Sequence, residues 1–271
     1  MMKKLLPIAA CILLWSACSD DDAGPVRSTT PYQRITLTEV ITPTDAQTVN
    51  WSQEFRFVNG QITGCGTTQR FGSDEEMCSI TLQESASITD AQAVVTYDEG
   101  TTTTYLLDDY GMATEAIRHE AGGDSRTYRF GYTTHGRHRC LASIEEYLAD
   151  TLFAQLTFTE EASTNERLHL TQQIGSYHQT FLLTLQIPQQ AAEEASPVPP
   201  LYVSELYPLT LHTTALYGKW LGEAWPWVTA AASTEGTSGL RTYSYTFTAT
   251  GQLATCTQST PEHRTIHYQF E

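Results

Sequence analysis

Phe55-Arg56-Phe57-Val58-Asn59-Gly60-Gln61-Ile62 decides the fold class. Two aromatic residues at alternate positions lie on one face of an extended strand, and Arg56 points the other way. Asn59-Gly60 then supplies residues that accept positive φ, so the turn carries the twist that two antiparallel strands need. Ile62 opens the returning strand. The same unit recurs at Tyr105-Leu106-Leu107-Asp108-Asp109-Tyr110-Gly111-Met112, and at Tyr128-Arg129-Phe130 with a longer turn through Gly136. A fourth copy is Tyr245-Thr246-Phe247-Thr248-Ala249-Thr250-Gly251-Gln252-Leu253. An isolated hairpin cannot bury its aromatic face, so repeated units must lie side by side in one layer.

Between these copies the alternation continues. Arg34-Ile35-Thr36-Leu37-Thr38, Ser79-Ile80-Thr81-Leu82, Gln155-Leu156-Thr157-Phe158, Arg167-Leu168-His169-Leu170 and Phe181-Leu182-Leu183-Thr184-Leu185 all read as half-buried strands. The expectation is an all-β protein: an antiparallel meander of many strands forming a curved sheet or an open or closed barrel. One or two short helices are expected, the first over Leu209 to Leu221 between Pro208 and Gly222, the second over Ser143 to Ala149. Gln189 to Pro200, with prolines at 197, 199 and 200, is the candidate break. It reads as a long surface loop within one domain, or as a linker between two.

The N-terminus carries an address. Lys3 and Lys4 precede an apolar run, Leu5 to Leu14, that is too short to span a bilayer, and Ser16-Ala17 leads to Cys18. Leu14-Trp15-Ser16-Ala17-Cys18 resembles the lipobox of bacterial lipoproteins. That resemblance implies a signal peptide over 1–17 and a lipidated Cys18 as the mature N-terminus. Ser19-Asp20-Asp21-Asp22 resembles the acidic export signal of Bacteroidetes-type lipoproteins, which implies an outer-membrane anchor facing the cell exterior. Residues 18–31 read as a flexible tether with little to bury, and 32–271 as a single β-meander domain.

Charge narrows the partners. The formal charge is −16, and loss of Lys3 and Lys4 with the leader takes it to −18. Such acidity argues against nucleic acid, whose binding needs basic patches, and against direct attraction to anionic lipid. It is compatible with neutral glycans or a basic protein patch. Four cysteines remain beyond Cys18. Cys65 and Cys78 flank a Gly-containing turn region and are the candidate disulfide; Cys140 and Cys256 have no assigned pairing.

The hairpins at 55–62, 97–120, 127–144 and 242–271 resemble the tyrosine-aspartate repeats of large bacterial surface proteins, and Tyr97-Asp98 keeps that dipeptide. Together with Cys18 to Asp22 they are more similar to a group of Bacteroidetes lipoproteins of unknown function with a porin-like, open-barrel β fold. The resemblance implies a curved many-stranded meander and no activity.

The chemical screen gives no catalytic residue, cofactor or metal site. No Gly-x-Ser-x-Gly elbow, phosphate-binding Gly-Lys-Ser loop or His-Glu-x-x-His pair occurs. Adjacent acids such as Asp108-Asp109 and Glu145-Glu146 point to opposite faces of a strand and read as solvated turns. Trp220, Trp225 and Trp227 are the candidate glycan-stacking residues, with burial at a barrel end as their plainer reading. The functional expectation is a non-enzymatic binding or scaffolding accessory for glycan capture or adhesion. Its partners are the membrane, through lipid on Cys18, and a glycan or another envelope protein. The alternative is an extracellular polysaccharide-acting hydrolase of unrecognised type.

Overall fold

The computed structural model describes residues 30–42, 50–73, 76–89, 91–135, 138–160, 167–186, 206–223, 228–235, 239–249, 251, 253–259 and 263–271. The leader, Cys18 and most of the tether, the 189–200 segment, Trp225 and Trp227 lie outside the described residues.

Sixteen strands follow one another in chain order. They are β1 (Arg34–Thr42), β2 (Asn50–Val58), β3 (Gln61–Ser73), β4 (Glu76–Ile88), β5 (Gln92–Tyr97), β6 (Thr102–Leu107), β7 (Ala113–His119) and β8 (Ser125–His135). After these come β9 (His138–Leu148), β10 (Thr151–Glu160), β11 (Arg167–Ile174), β12 (Tyr177–Gln186), β13 (Val228–Thr234), β14 (Leu240–Phe247), β15 (Leu253–Gln258) and β16 (His263–Phe270). Each strand pairs antiparallel with its sequence neighbours, and β1 pairs with β16, so the meander closes into a barrel. Closure removes both sheet edges, the usual liability of an open β-sheet.

The quoted hairpin forms as its residues dictate. Asn59 and Gly60 have φ of 52° and 75°, the paired positive values of a two-residue turn between β2 and β3. Ala149 and Asp150 do the same, with φ of 45° and 66°, between β9 and β10. The second expected helix, Ser143 to Ala149, is therefore wrong: it is the end of β9 and its turn. Ile144 and Glu146 are buried while Ser143, Glu145 and Tyr147 are only partly so, a period of two that outweighs any helical preference.

Where side chains are described, the strands turn one face to the lumen and one to the outside. Ile35 and Leu37 of β1, Phe55 and Phe57 of β2, Tyr128 and Phe130 of β8, and Leu168 and Leu170 of β11 are buried in one core. Their neighbours Thr36, Thr38, Glu54, Arg56, Arg129 and Thr171 face out. The outer wall is thus rich in Thr, Ser, Gln and charge, with ion pairs such as Arg34–Glu54 and Arg129–Glu115.

Sixteen strands enclose more space than wall side chains can fill. The chain supplies the filling itself. Leu206 to Glu223, between β12 and β13, runs through the lumen as a 3₁₀ turn (Leu209–His212), one α-helical turn, α1 (Thr213–Tyr217), and turns over 218–221 that lead to a bridge at Gly222. The expected helix over Leu209 to Leu221 is realised only as those two helical turns. Tyr217 stacks on Phe55 with ring centroids 3.7 Å apart, and Trp220 packs 5.6 Å from Tyr105. Fully burying one such aromatic side chain contributes about 2–3 kcal/mol.

The register separates the expected disulfide partners. Cys65 sits opposite Glu84 while Cys78 sits opposite Phe71. Six positions along a strand is roughly 20 Å, far beyond sulfur–sulfur reach. Cys65, Cys140 and Cys256 are buried and take part in no disulfide.

Candidate functional site

The barrel has two unlike ends. Both described chain termini lie at one, where Gln33 N–H and Arg34 N–H donate to Glu271 O at 2.6 and 3.1 Å, and Thr30 N–H donates to Gly60 O. This terminal end also carries the turns at 59–60, 108–112 and 248–252. The far end carries the turns at 98–101, 120–124, 149–150 and 175–176.

The lumen segment begins toward the far end, inside a polar network. Glu146 of β9 points inward and is fully buried. Its carboxylate accepts from Arg126 Nη1 at 2.6 Å, Tyr128 OH at 3.2 Å and Tyr207 OH at 2.5 Å. Gln172 Nε2 donates to Tyr207 O at 2.8 Å. The solvated-turn reading thus fails for Glu146, although Glu145 does face the other way, toward Tyr147 and Gln155.

Arg118 of β7, directly across from Arg126 in the β7–β8 register, donates through Nε to Glu120 at 2.8 Å and lies 4.7 Å from the Tyr97 ring centroid. Burial works against its charge, and the bond to Glu120 more than offsets this, raising the guanidinium pKa. Arg118, through that same hydrogen bond, lowers the Glu120 pKa.

Deeper in, His212 is held by Tyr105 OH, 2.9 Å from Nδ1, and ringed edge-on by Tyr128 and Phe130. Burial, with Arg118 nearby, pushes its pKa down to about 3, so the ring is neutral at ordinary pH. Thr214 donates to Glu84, whose pKa burial raises. Arg118 Nη1, Arg126 Nε, Thr103 Oγ1 and His212 Nε2 are buried with no hydrogen-bond partner among the described residues.

Chemically this network clamps rather than reacts. Glu146 is surrounded by three donors and shielded from solvent, which suits a carboxylate that fixes a segment and not one that attacks or shuttles protons. Toward the terminal end, Ala113 N–H donates to Trp220 O at 2.7 Å, Tyr132 OH donates to Ala113 O at 2.6 Å, and Gly222 bridges to Cys140. A cavity of about 20 Å³, room for roughly one water, is lined there by Gly60, Met112, Lys219 and Trp220.

Of the residues singled out in the sequence, Trp220 is 3% exposed and walled in by the lumen, so its indole is closed to a sugar ring. Arg118, Arg126, Glu146, Tyr207 and His212 were not anticipated. One weak signal existed: arginines flank the turn Glu120-Ala121-Gly122-Gly123-Asp124 at positions that a hairpin sets face to face.

The fold and its filled lumen define the class: a closed, sixteen-stranded antiparallel meander barrel of porin-like type. A crystal structure of a porin-like protein from Bacteroides uniformis is similar to it, with a TM-score of 0.80 and 28% sequence identity over 92% of this chain and 100% of that one. That likeness is consistent with an outer-membrane or surface location. No family model and no curated protein matches the chain.

Proposed function

We propose that this chain is an outer-membrane-anchored surface lipoprotein, held by lipid on Cys18, whose barrel is a water-facing scaffold with a non-enzymatic role in glycan capture or adhesion. One observation carries the reading: the described outer wall is mostly polar, its apolar residues such as Val94, Ile117, Leu152 and Leu182 set among Thr, Glu and Arg, and the lumen is filled. A membrane-spanning barrel needs an outward apolar band about 25 Å tall, and a channel needs an open interior. Here Thr36, Glu54, Arg56, Glu115, Arg129 and Thr171 occupy outward positions while Phe55, Tyr105, Tyr128 and Trp220 fill the inside. The porin-like likeness then describes the shape of the wall, and a lipid tether supplies the membrane attachment that the wall cannot. The resemblance at Ser19 to Asp22 supports an outward-facing position, and a barrel whose buried Glu146 is enclosed by three donors and holds the lumen segment supports presentation over catalysis.

The test has two arms. Labelled palmitate is expected to enter the wild-type chain and not Cys18→Ala, and the chain lacking residues 1–18 is expected to stay in aqueous solution and leave planar bilayers non-conducting. Steady single-channel conductance would overturn the scaffold reading. A glycan array and an envelope pull-down then identify the ligand class, and turnover of a polysaccharide by the pure protein would replace capture with hydrolysis.

A further inference from the structure

We infer that the barrel stands end-on at the lipid surface, with its terminal end toward the bilayer and its far end outward. This rests on lipidation of Cys18 as proposed above and on two independent features of the fold.

The first is the path of the chain. Cys18 lies twelve residues before Thr30, which is pinned to Gly60 at the terminal end. Twelve residues reach at most about 40 Å, and the attachment point sits on that rim, so the rim is the part of the barrel that the lipid draws in. The last residue, Glu271, is tied to the same rim through Arg34.

The second is charge. Asp98, Glu99, Asp124, Asp150 and Glu235 are all exposed at the far end, and the described residues of its turns include no exposed Lys or Arg. At the terminal end the acids Asp108, Asp109, Glu160, Glu223 and Glu271 are faced by Arg34, Arg139, Arg167 and Lys219, with Arg139 paired to Asp108. Anionic headgroups repel the first rim and tolerate the second, an effect felt within about 10 Å of the surface. Tether and charge therefore act in the same direction. The described wall, whose exposed apolar residues are scattered among Thr, Glu and Arg, gives little reason to lie flat.

The consequence is functional. The far rim, near which Tyr207 of the lumen segment meets the Arg126–Glu146 pair and where Tyr177 and Leu240 are each 53% exposed, becomes the face offered to the exterior. Partner binding is expected there, and the terminal rim is expected to be shielded by the membrane.

The experiment places a donor dye on lipidated full-length protein at Asp109→Cys, on the terminal rim, or Ser176→Cys, on the far rim, in a Cys78→Ser background. Vesicles carry an acceptor dye in their headgroups and one-fifth anionic lipid. Strong energy transfer from position 109 and weak transfer from 176 is expected, matching a height difference of roughly 25 Å. Equal transfer, meaning a barrel on its side, or the inverted order overturns the orientation alone. A wild-type chain that does not join the vesicles overturns the lipid anchor and the orientation together.

Discussion

His212 shows what burial does to a single titratable residue. The folded protein holds it neutral down to about pH 3, while the unfolded chain protonates it near 6.5. Between those values the unfolded state binds the extra proton. Stability attributable to this ring is therefore fully present above 6.5 and is lost as pH falls toward 3, a change on the order of 4 kcal/mol. Glu120, with its lowered pKa, acts in the same sense at more acid pH, whereas Glu84, with its raised pKa, acts in the opposite sense and favours the fold at low pH. Urea melts at stepped pH are expected to show a shallower acid-side loss in His212→Phe than in wild type, and parallel curves would refute the assignment. That variant also strands Tyr105 OH, so a uniform penalty of about 1–3 kcal/mol is expected on top. The Arg126–Glu146 pair makes a second case. Arg126→Met leaves a buried carboxylate with tyrosine donors alone and is expected to cost about 3–5 kcal/mol. Pairing it with Glu146→Gln is expected to restore most of the loss, and a double change no better than the single one would argue that the ion pair is not the source.

At the scale of elements, the strands were legible and the filling was not. Phe55, Phe57, Tyr128 and Phe130 announced their inward face through simple alternation, because one side of the sheet is apolar and the other wet. The turn at Asn59-Gly60 was legible because few residue pairs accept two positive φ values in succession. The lumen segment was half-legible. Pro208 and Gly222 bracket it correctly, but its packing inside the barrel, against residues from nearly every part of the sequence, follows from closure, which no local pattern encodes. The same holds for Glu146: an acid beside another acid on a strand looks solvated until the strand across from it is known to bring Arg126. Cys65 and Cys78 failed for the same reason, since the spacing suggested neighbours while the register set them six positions apart. The exit of the lumen segment offers a test of its own. Gly222 has φ of 88°, and an added Cβ would lie 2.7 Å from Arg139 O, a backbone atom that cannot swing away. Gly222→Ala is expected to destabilise by about 1–3 kcal/mol through strain and loss of the bridge to Cys140, while Gly100→Ala, also at positive φ but in open space, is expected to cost less. Equal losses in thermal melts would place the cost in φ alone.

For the whole molecule, closure makes the order in which the strands are joined nearly irrelevant to the finished barrel. Arg34 and Glu271 exchange backbone hydrogen bonds, so the two described ends of the chain are already neighbours. Gly122 and Gly123 sit exposed in a far-end turn, where an added Cβ meets nothing within 4 Å. Joining residue 271 to residue 32 through a short Gly-Ser linker and opening the chain between Gly122 and Gly123 leaves every strand pair and the lumen segment in place. The bonds affected are Gly123 N–H to Glu120 O and Glu120 N–H to Asp124 O, which span the cut, and Thr30 N–H to Gly60 O, which goes with the residues before the join. This permutant is expected to fold with an unchanged far-ultraviolet spectrum and a melting temperature within a few degrees of the soluble parent. Truncation at residue 262, by contrast, removes β16 and uncovers the edges of β1 and β15 along with the interior faces of Ile35 and Leu37. That chain is expected to aggregate, because open edges recruit other strands. If the truncated chain stays monomeric and folded while the permutant collapses, the continuity of the chain and not the closure of the sheet holds the barrel together.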